Sequence, residues 1–261
     1  MGHAFAAIVA AESGDDFLLR IEDIDAGRSR EAFILAIARD LKWLGLCWDE
    51  PVLRQSRRMD AYRAALDRLA GLGLVYPCFC TRAEIAAEIA RAGEAPHGKD
   101  SPLGPDGALY PGTCRTLSAA ARARRADEPH ALRLDAAKAA ALAGPLHFTE
   151  HGKRHAVDPL LFGDVVIARK DMPTSYHLAV VVDDAFQNVT LVTRGEDLLP
   201  SVHIQRLLQA LLGLPEPSYA HHRLVLDTEG RKLSKRDGAV TLEALRAEGI
   251  TVGDIRARLG L

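Results

Sequence analysis

Apolar positions along the chain alternate between two periods, and the alternation predicts helices and strands in turn. Ala4 to Ala11 reads as a helix closed by Ser13-Gly14, and Phe17 to Ile21 as a short buried strand. From Arg28 to Leu44 the residues Ile34, Ile37, Ala38, Leu41 and Leu44 fall on one stripe with Gly45 beyond it, which predicts an amphipathic helix. Another helix is predicted from about Arg58 to Ala70, stopped by Gly71-Leu72-Gly73. Strand-like runs return at Val165 to Ala168, Ala179 to Val182 and Val189 to Val192. Val202 to Leu212 is again helical, with Ile204, Leu207, Leu208 and Leu211 as its buried face. Alternating strands and helices favour an α/β protein with a parallel sheet.

One stretch breaks the pattern. Gly93 to Gly112 holds five glycines, four prolines and two aspartates in 20 residues, too irregular for a core element. Cysteines bracket it, as Cys78-Phe79-Cys80 before and Cys114 after. Two thiolates one residue apart cannot easily bond each other, but they can share a tetrahedral metal. Three clustered cysteines therefore point to zinc rather than a disulfide, and His97 in the loop is the conventional candidate for a fourth ligand. Cys47, between Trp43 and Trp48, reads as a small core residue. The simplest organisation is a nucleotide-binding sheet in two parts, 1–75 and 166–215, split by an insertion at 76–165 and followed by a segment at 216–261.

Composition narrows the class. With 261 residues and 48% hydrophobic content, the chain can bury one sizeable core or two modest ones. A net charge of −2 and a pI near 6.6 give no global basic field, so a nucleic-acid partner would meet a local patch. Arg122, Arg124 and Arg125 form one candidate, and a solvated helix face explains them equally well. No apolar stretch reaches the ~18 residues of a membrane span. There is no basic n-region followed by an apolar h-region either, so a cytoplasmic location is expected.

Candidate chemistry lies at several strand and helix ends. Lys232-Leu233-Ser234-Lys235 sits in a Gly-flanked loop, where two lysines three apart can bring positive charge to a polyphosphate. Alone, the tetrapeptide is equally a solvated turn. Gly2-His3 precedes a helix, so His3 would sit at a positive N-terminus beside bound phosphate, with Gly2 allowing close approach. Glu22 ends a strand, where carboxylates point into the crevice of an α/β sheet and can grip an ammonium group. Asp25 suits a capping role for the Arg28 helix. Arg194 also follows a strand and can hold a carboxylate through a bidentate pair, or else pair with Glu196 or Asp197. Tyr176 by itself reads as a core tyrosine.

Taken in order, four segments resemble the glutamate-type class I aminoacyl-tRNA synthetases. They are Gly2-His3-Ala4-Phe5-Ala6-Ala7, Leu19-Arg20-Ile21-Glu22-Asp23-Ile24-Asp25, Val192-Thr193-Arg194-Gly195-Glu196-Asp197-Leu198 and the lysine loop. The resemblance runs from residue 1 to about residue 245. It implies a class I Rossmann nucleotide-binding fold with an inserted zinc-containing subdomain. It also implies activation of glutamate by ATP with Mg²⁺, with His3 and Lys235 on the phosphates and Lys232 assisting. Glu22, Tyr176 and Arg194 would hold glutamate, and Tyr110 would complete a structural zinc site with Cys78, Cys80 and Cys114.

Two departures shape the expectation. The sequence begins inside the family's His-x-Gly-His signature, without the strand that normally precedes it. A start placed too far downstream is expected, with weak activity of the chain as written. Only 26 residues follow Lys235. Among family members this shortness is most similar to those that esterify glutamate onto the queuosine base of tRNA(Asp), acting as monomers. Two alternatives stand beside that reading. One is an inactive zinc-containing RNA-binding remnant, and the other is a fragment of a glutamyl-tRNA synthetase.

Overall fold

A computed structural model describes residues 2–13, 16–25, 27, 29–93, 103–169, 172–225 and 241–261, apart from the side chains of residues 2, 3 and 91–93. The first part contains α1 (Gly2–Glu12), β1 (Arg20–Ile21), α2 (Glu31–Trp43), β2 (Leu53–Arg54) and α3 (Met59–Gly71). The middle contains β3 (Val75–Cys78), α4 (Arg82–Gly93), β4 (Leu103–Gly104), β5 (Gly107–Ala108), α5 (Ala119–Arg124), β6 (Ala131–Leu134) and α6 (Ala136–Ala143). Then follow β7 (His147–Glu150), β8 (Lys153–Ala156), β9 (Val166–Arg169), α7 (Tyr176–Phe186), β10 (Leu191–Gly195), α8 (Ser201–Leu212) and β11 (Ser218–His222). Two short helices, α9 (Leu242–Ala247) and α10 (Val252–Leu259), end the chain. None of these helices is long and apolar enough to cross a membrane.

Parallel pairing is present at two places. β1 runs parallel to β2, and β10 runs parallel to β11, which is parallel in turn to β7. β8 closes that four-stranded sheet antiparallel to β7. A second layer, β3-β6-β9, is antiparallel throughout. Sheet membership therefore interleaves along the chain: β7 and β8 join the sheet of β10, whereas the later β9 pairs with β6.

The main core lies where α3, α7 and α8 meet these sheets, around Leu69, Leu134, Ile167, Leu178, Leu207 and Leu208, all fully buried. A second core joins the ends of the chain. Ala4, Phe5 and Ile8 of α1 pack with Leu245, Ile255 and Leu259 of the last two helices. Thr251 and Asp254 form a capping box that starts α10.

The structure corrects several sequence expectations. Ala179 to Val182 is not a strand but the middle of α7, whose N-terminus is capped by Ser175 Oγ accepting from Leu178 N at 3.3 Å. A helix buried on several faces shows no amphipathic stripe, so its short apolar run mimics a buried strand. The strand expected at Phe17 to Ile21 pairs only over Arg20 and Ile21, and the one at Val189 to Val192 lies at β10. α2 starts at Glu31, and Ile37 is 46% exposed, because the helix is anchored through Leu41 and Leu44 at its far end. Asp25 accepts from Gly27 N in a tight turn rather than capping α2.

Asp183, fully buried in α7, fixes α3 against α7. It accepts from Gln55 Nε2 at 3.0 Å, Arg58 Nε at 2.6 Å and Tyr62 Oη at 2.6 Å. Removing it leaves a buried phenol and a buried amide without their acceptor and a part-buried guanidinium without its counter-charge, which costs more than the pair itself stabilises. Asp183→Ala is therefore expected to lose about 3–5 kcal/mol in urea unfolding. A loss below about 1 kcal/mol, the worth of a surface pair, would contradict this role.

Candidate functional site

Near the C-terminal end of β10, two expected residues meet, Arg194 and Tyr176 at the start of α7. Arg194 is only 9% exposed, and each of its guanidinium nitrogens is directed to a different partner. Nε donates to His221 Nε2 at 3.0 Å, one terminal nitrogen donates to Gln205 Oε1 at 2.9 Å, and the other reaches Tyr176 Oη at 3.5 Å. Glu196 is occupied elsewhere, accepting from Leu224 N at 3.3 Å. Strand register places these groups: Arg194 lies opposite His221 on β11, and Tyr219, two residues earlier, lies opposite Glu150 on β7. Glu150 takes two of the polar atoms of His221, accepting from its backbone N–H at 2.9 Å and lying 2.8 Å from its Nδ1. Directly after Arg194 the backbone is crowded, and a Cβ on Gly195 would meet the Asp197 carboxylate at 2.5 Å.

Glu22, the third expected residue, directly follows β1. Arg20 bridges it, lying 3.4 Å from Glu22 and 2.7 Å from Asp184 of α7, with Gln187 at 3.2 Å. The Tyr176 phenol is pushed above its ordinary value first by burial and then by the charge of Glu22, so the two lie within electrostatic reach of each other. Burial also pushes the Glu22 carboxyl upward, with Arg20 opposing it. Solvent screens that charge, since 40% of the Glu22 side chain is accessible. Such a crevice offers a carboxylate, a hydroxyl and a guanidinium, complementary to a small zwitterion that carries a second carboxylate.

The cysteines form a separate cluster. The three sulfurs of Cys78, Cys80 and Cys114 lie within 4.8 Å of one another, and none is in a disulfide. Cys80 Sγ is 3.4 Å from Cys114 Sγ, and Tyr110 Oη lies 3.4 Å from Cys78 Sγ and 3.5 Å from Cys80 Sγ. A tetrahedral zinc–thiolate centre separates its sulfurs by about 3.8 Å, so the donor set fits a zinc ion. Cys114 N donates to Tyr110 Oη at 2.9 Å, which orients the phenol toward the thiols. His97 lies outside the described residues. Beside the cluster, the Arg125 guanidinium lies 4.2 Å from the Phe79 ring centroid and Arg122 donates to the carbonyl of Arg115 at 2.8 Å, so two of the three arginines expected in a basic patch are partly occupied.

Residues 1–255 match the family described as "tRNA synthetases class I (E and Q), catalytic domain". The chain belongs to this family. A relative from Rhodobacter capsulatus, "Glutamyl-Q tRNA(Asp) synthetase", is 48% identical across 100% of this chain and 95% of its own length. One of the same name from Nocardia farcinica is 47% identical over 97% of this chain and 76% of its own. Among solved structures, the glutamate–tRNA synthetase of Elizabethkingia anophelis matches with a TM-score of 0.70 at 27% identity. That match covers 90% of this chain and 49% of the solved one, so the chain spans about half its length. The protein is thus a class I aminoacyl-tRNA synthetase-like ligase with the α/β catalytic fold of its class.

Not all expected synthetase residues are placed. Lys232 and Lys235 lie outside the described residues, as does the side chain of His3; the backbone of Gly2 and His3 forms the first turn of α1 rather than preceding it. Conversely, Arg20, Glu150, Asp184, Gln205 and His221 were missed. Asp184 left one signal, a carboxylate inside the apolar run of α7. Glu150 and His221 left none, because they reach Arg194 only through register across three strands.

His177, next to Tyr176, is half-buried against Phe162, and its buried Nδ1 has no partner among the described residues. Burial pushes its pKa from 6.5 down to about 4. Between those values the unfolded chain binds a proton that the folded chain refuses. This contribution to stability is therefore full above pH 6.5 and is lost as pH falls toward 4, by up to about 3 kcal/mol. His177→Gln should flatten the fall of urea-unfolding stability across that window. An unchanged slope would show that His177 is free to ionise in the folded protein.

Proposed function

We propose that the protein activates glutamate with ATP and transfers it to the queuosine base of tRNA(Asp). One observation carries the choice of acceptor. The relative matched over 95% of its own length bears that activity in its name, while the solved glutamate–tRNA synthetase is matched over only half. Support for glutamate comes from the crevice, where Arg194 faces the side-chain carboxylate, Glu22 the α-ammonium and Tyr176 a substrate oxygen. Glutamine would leave the buried guanidinium without a charged partner, and that is the basis of selection.

The chemistry follows in two steps. A carboxylate oxygen of glutamate attacks the α-phosphorus of ATP, and pyrophosphate leaves with its bonding electrons. An acceptor hydroxyl then attacks the activated carbonyl, loses its proton and expels AMP. When bound, Mg²⁺ screens the phosphate charge. Gly2 and His3 at the start of α1, with Lys235 and Lys232, are the residues this reading assigns to the phosphates. Lys235→Ala is expected to slow adenylate formation most, because its charge acts on the transition state. Arg194→Ala instead weakens glutamate selection.

Zinc belongs to the same proposal as a structural ion held by Cys78, Cys80, Cys114 and Tyr110. Four protein ligands leave no open position, so its role is to fix the turn after β3 to the loop before α5. Purified protein never exposed to chelator should contain about one zinc per chain, and Cys114→Ser should lose it. Retention of zinc by Tyr110→Phe together with its loss from His97→Ala would transfer the fourth position to His97.

The acceptor is tested by incubating labelled glutamate and ATP with tRNA from queuosine-proficient and queuosine-deficient cells. Label should enter only the first pool, and without any tRNA the protein should still catalyse glutamate-dependent pyrophosphate exchange. Equal labelling of both pools, or stable charging of tRNA(Glu), would assign the protein to the ordinary glutamate-specific synthetases.

A further inference from the structure

We propose that Glu150 and His221 are positioning residues for Arg194, a buried pair that fixes its guanidinium while leaving the positive charge for a ligand carboxylate. The inference rests on the reading of Arg194 as the residue that holds the substrate side chain.

Hydrogen-bond chemistry dictates the proton positions. The Nε–H of an arginine can only donate, so His221 Nε2, 3.0 Å away, is the bare acceptor nitrogen. The single ring proton therefore sits on Nδ1 and is donated to Glu150 Oε2 at 2.8 Å. Oε1 of the same carboxylate accepts the backbone N–H of His221 at 2.9 Å, which holds the acid in one orientation. Burial would raise the Glu150 carboxyl, but the two bonds from His221 outweigh it and keep the group ionised. Burial pushes the His221 imidazole below its ordinary value and Arg194 adds to that, so the ring stays neutral.

The arrangement separates a buried cation from its counter-charge by the width of one imidazole ring. A carboxylate bonded directly to Arg194 would compensate the guanidinium and compete with substrate. The neutral relay gives orientation without that competition. Gln205 acts likewise, since its Oε1 takes a second N–H while its own buried Nε2 has no partner among the described residues. The nitrogen nearest Tyr176 keeps only the 3.5 Å contact, at the limit of a hydrogen bond, and is the edge open to a ligand.

Protonation of His221 would set an N–H against the Nε–H of Arg194, donor against donor and cation against cation. The ionisable groups facing His221 are Glu150 and His151 from β7 and its turn, Arg194 from β10, and Tyr219 stacked from its own strand. Glu150 favours the protonated ring, while Arg194 and His151 oppose it. Glutamate affinity should accordingly fall on acidification.

Two measurements on the full chain test the pair. Nitrogen-15 NMR of labelled histidines, assigned with His221→Gln, should show His221 at neutral pH as the neutral Nδ1–H tautomer. An Nε2–H tautomer or a charged ring would overturn the proposal whatever the activity. Calorimetric titration with glutamate should show His221→Leu weakened at least about tenfold. His221→Gln, which can accept from Arg194 and donate to Glu150, should stay within about threefold and lack the acid-side loss of affinity. Equal affinity of parent and His221→Leu, or a tenfold loss in His221→Gln with its melting temperature unchanged, would sink the positioning role. Arg194→Gln separates the two levels. If it binds glutamate like the parent, or if the parent itself binds none, the reading of Arg194 fails. If it alone loses binding, only the pair fails.

Discussion

A single buried cation organises the crevice. Arg194 is held away from water, and an arginine cannot shed its proton, so every N–H it buries must find an acceptor. His221 on β11, Gln205 on α8 and Tyr176 on α7 supply those acceptors, and Glu150 on β7 holds His221 in turn. β10 carries the guanidinium and β11 the imidazole directly opposite it, while the β7 carboxylate, opposite Tyr219, reaches His221 on the diagonal to complete the row. The row exists only if the parallel register is kept, because a slip of one residue turns each side chain to the other face. Sheet pairing and site geometry are therefore one constraint in this protein.

The same dependence decides what could be read from the sequence. Cys78 and Cys80 are one residue apart and Cys114 follows a turn-rich loop, so local spacing alone brought the cluster into view. Glu22 and Arg194 were legible because each ends a strand-like run, the place where α/β sheets gather ligand groups. Glu150 and His221 were not legible. Glu150 is 44 residues before Arg194 and His221 is 27 after it, and neither has a local pattern that differs from an ordinary surface strand. α7 was misread for a related reason. Its apolar residues are buried on several faces, and the decision between helix and strand came from the cap at Ser175 rather than from periodicity.

α7 itself serves two buried acids in succession. Asp183 points toward α3 and is saturated by Gln55, Arg58 and Tyr62, which makes it part of the scaffold. Asp184, one residue on, points toward β1 and takes Arg20, which also touches Glu22. Successive residues of a helix are about 100° apart, so one helix can brace the core with one carboxylate and the crevice with the next. Tyr176 begins the same helix and meets Arg194. The position of Glu22 relative to Arg194 is thus set through α7, although β1 and β10 share no hydrogen bond among the described residues.

The helix assigned to the phosphates is tied to this row as well. Thr193 Oγ1 donates to the carbonyl of Ala6 in α1 at 3.2 Å, and the Phe5 ring lies 4.4 Å from that of His222. Thr193 and His222 are the immediate chain neighbours of Arg194 and His221, so α1 is anchored to the strand ends that hold the guanidinium. From its other side, α1 packs against Leu245, Ile255 and Leu259, and Arg256 pairs with Glu12. The last two helices therefore press α1 onto β10 and β11. A carboxylate held by Arg194 and a phosphate at the start of α1 would be positioned by one continuous set of contacts. That shared frame is what an in-line attack between two bound substrates requires.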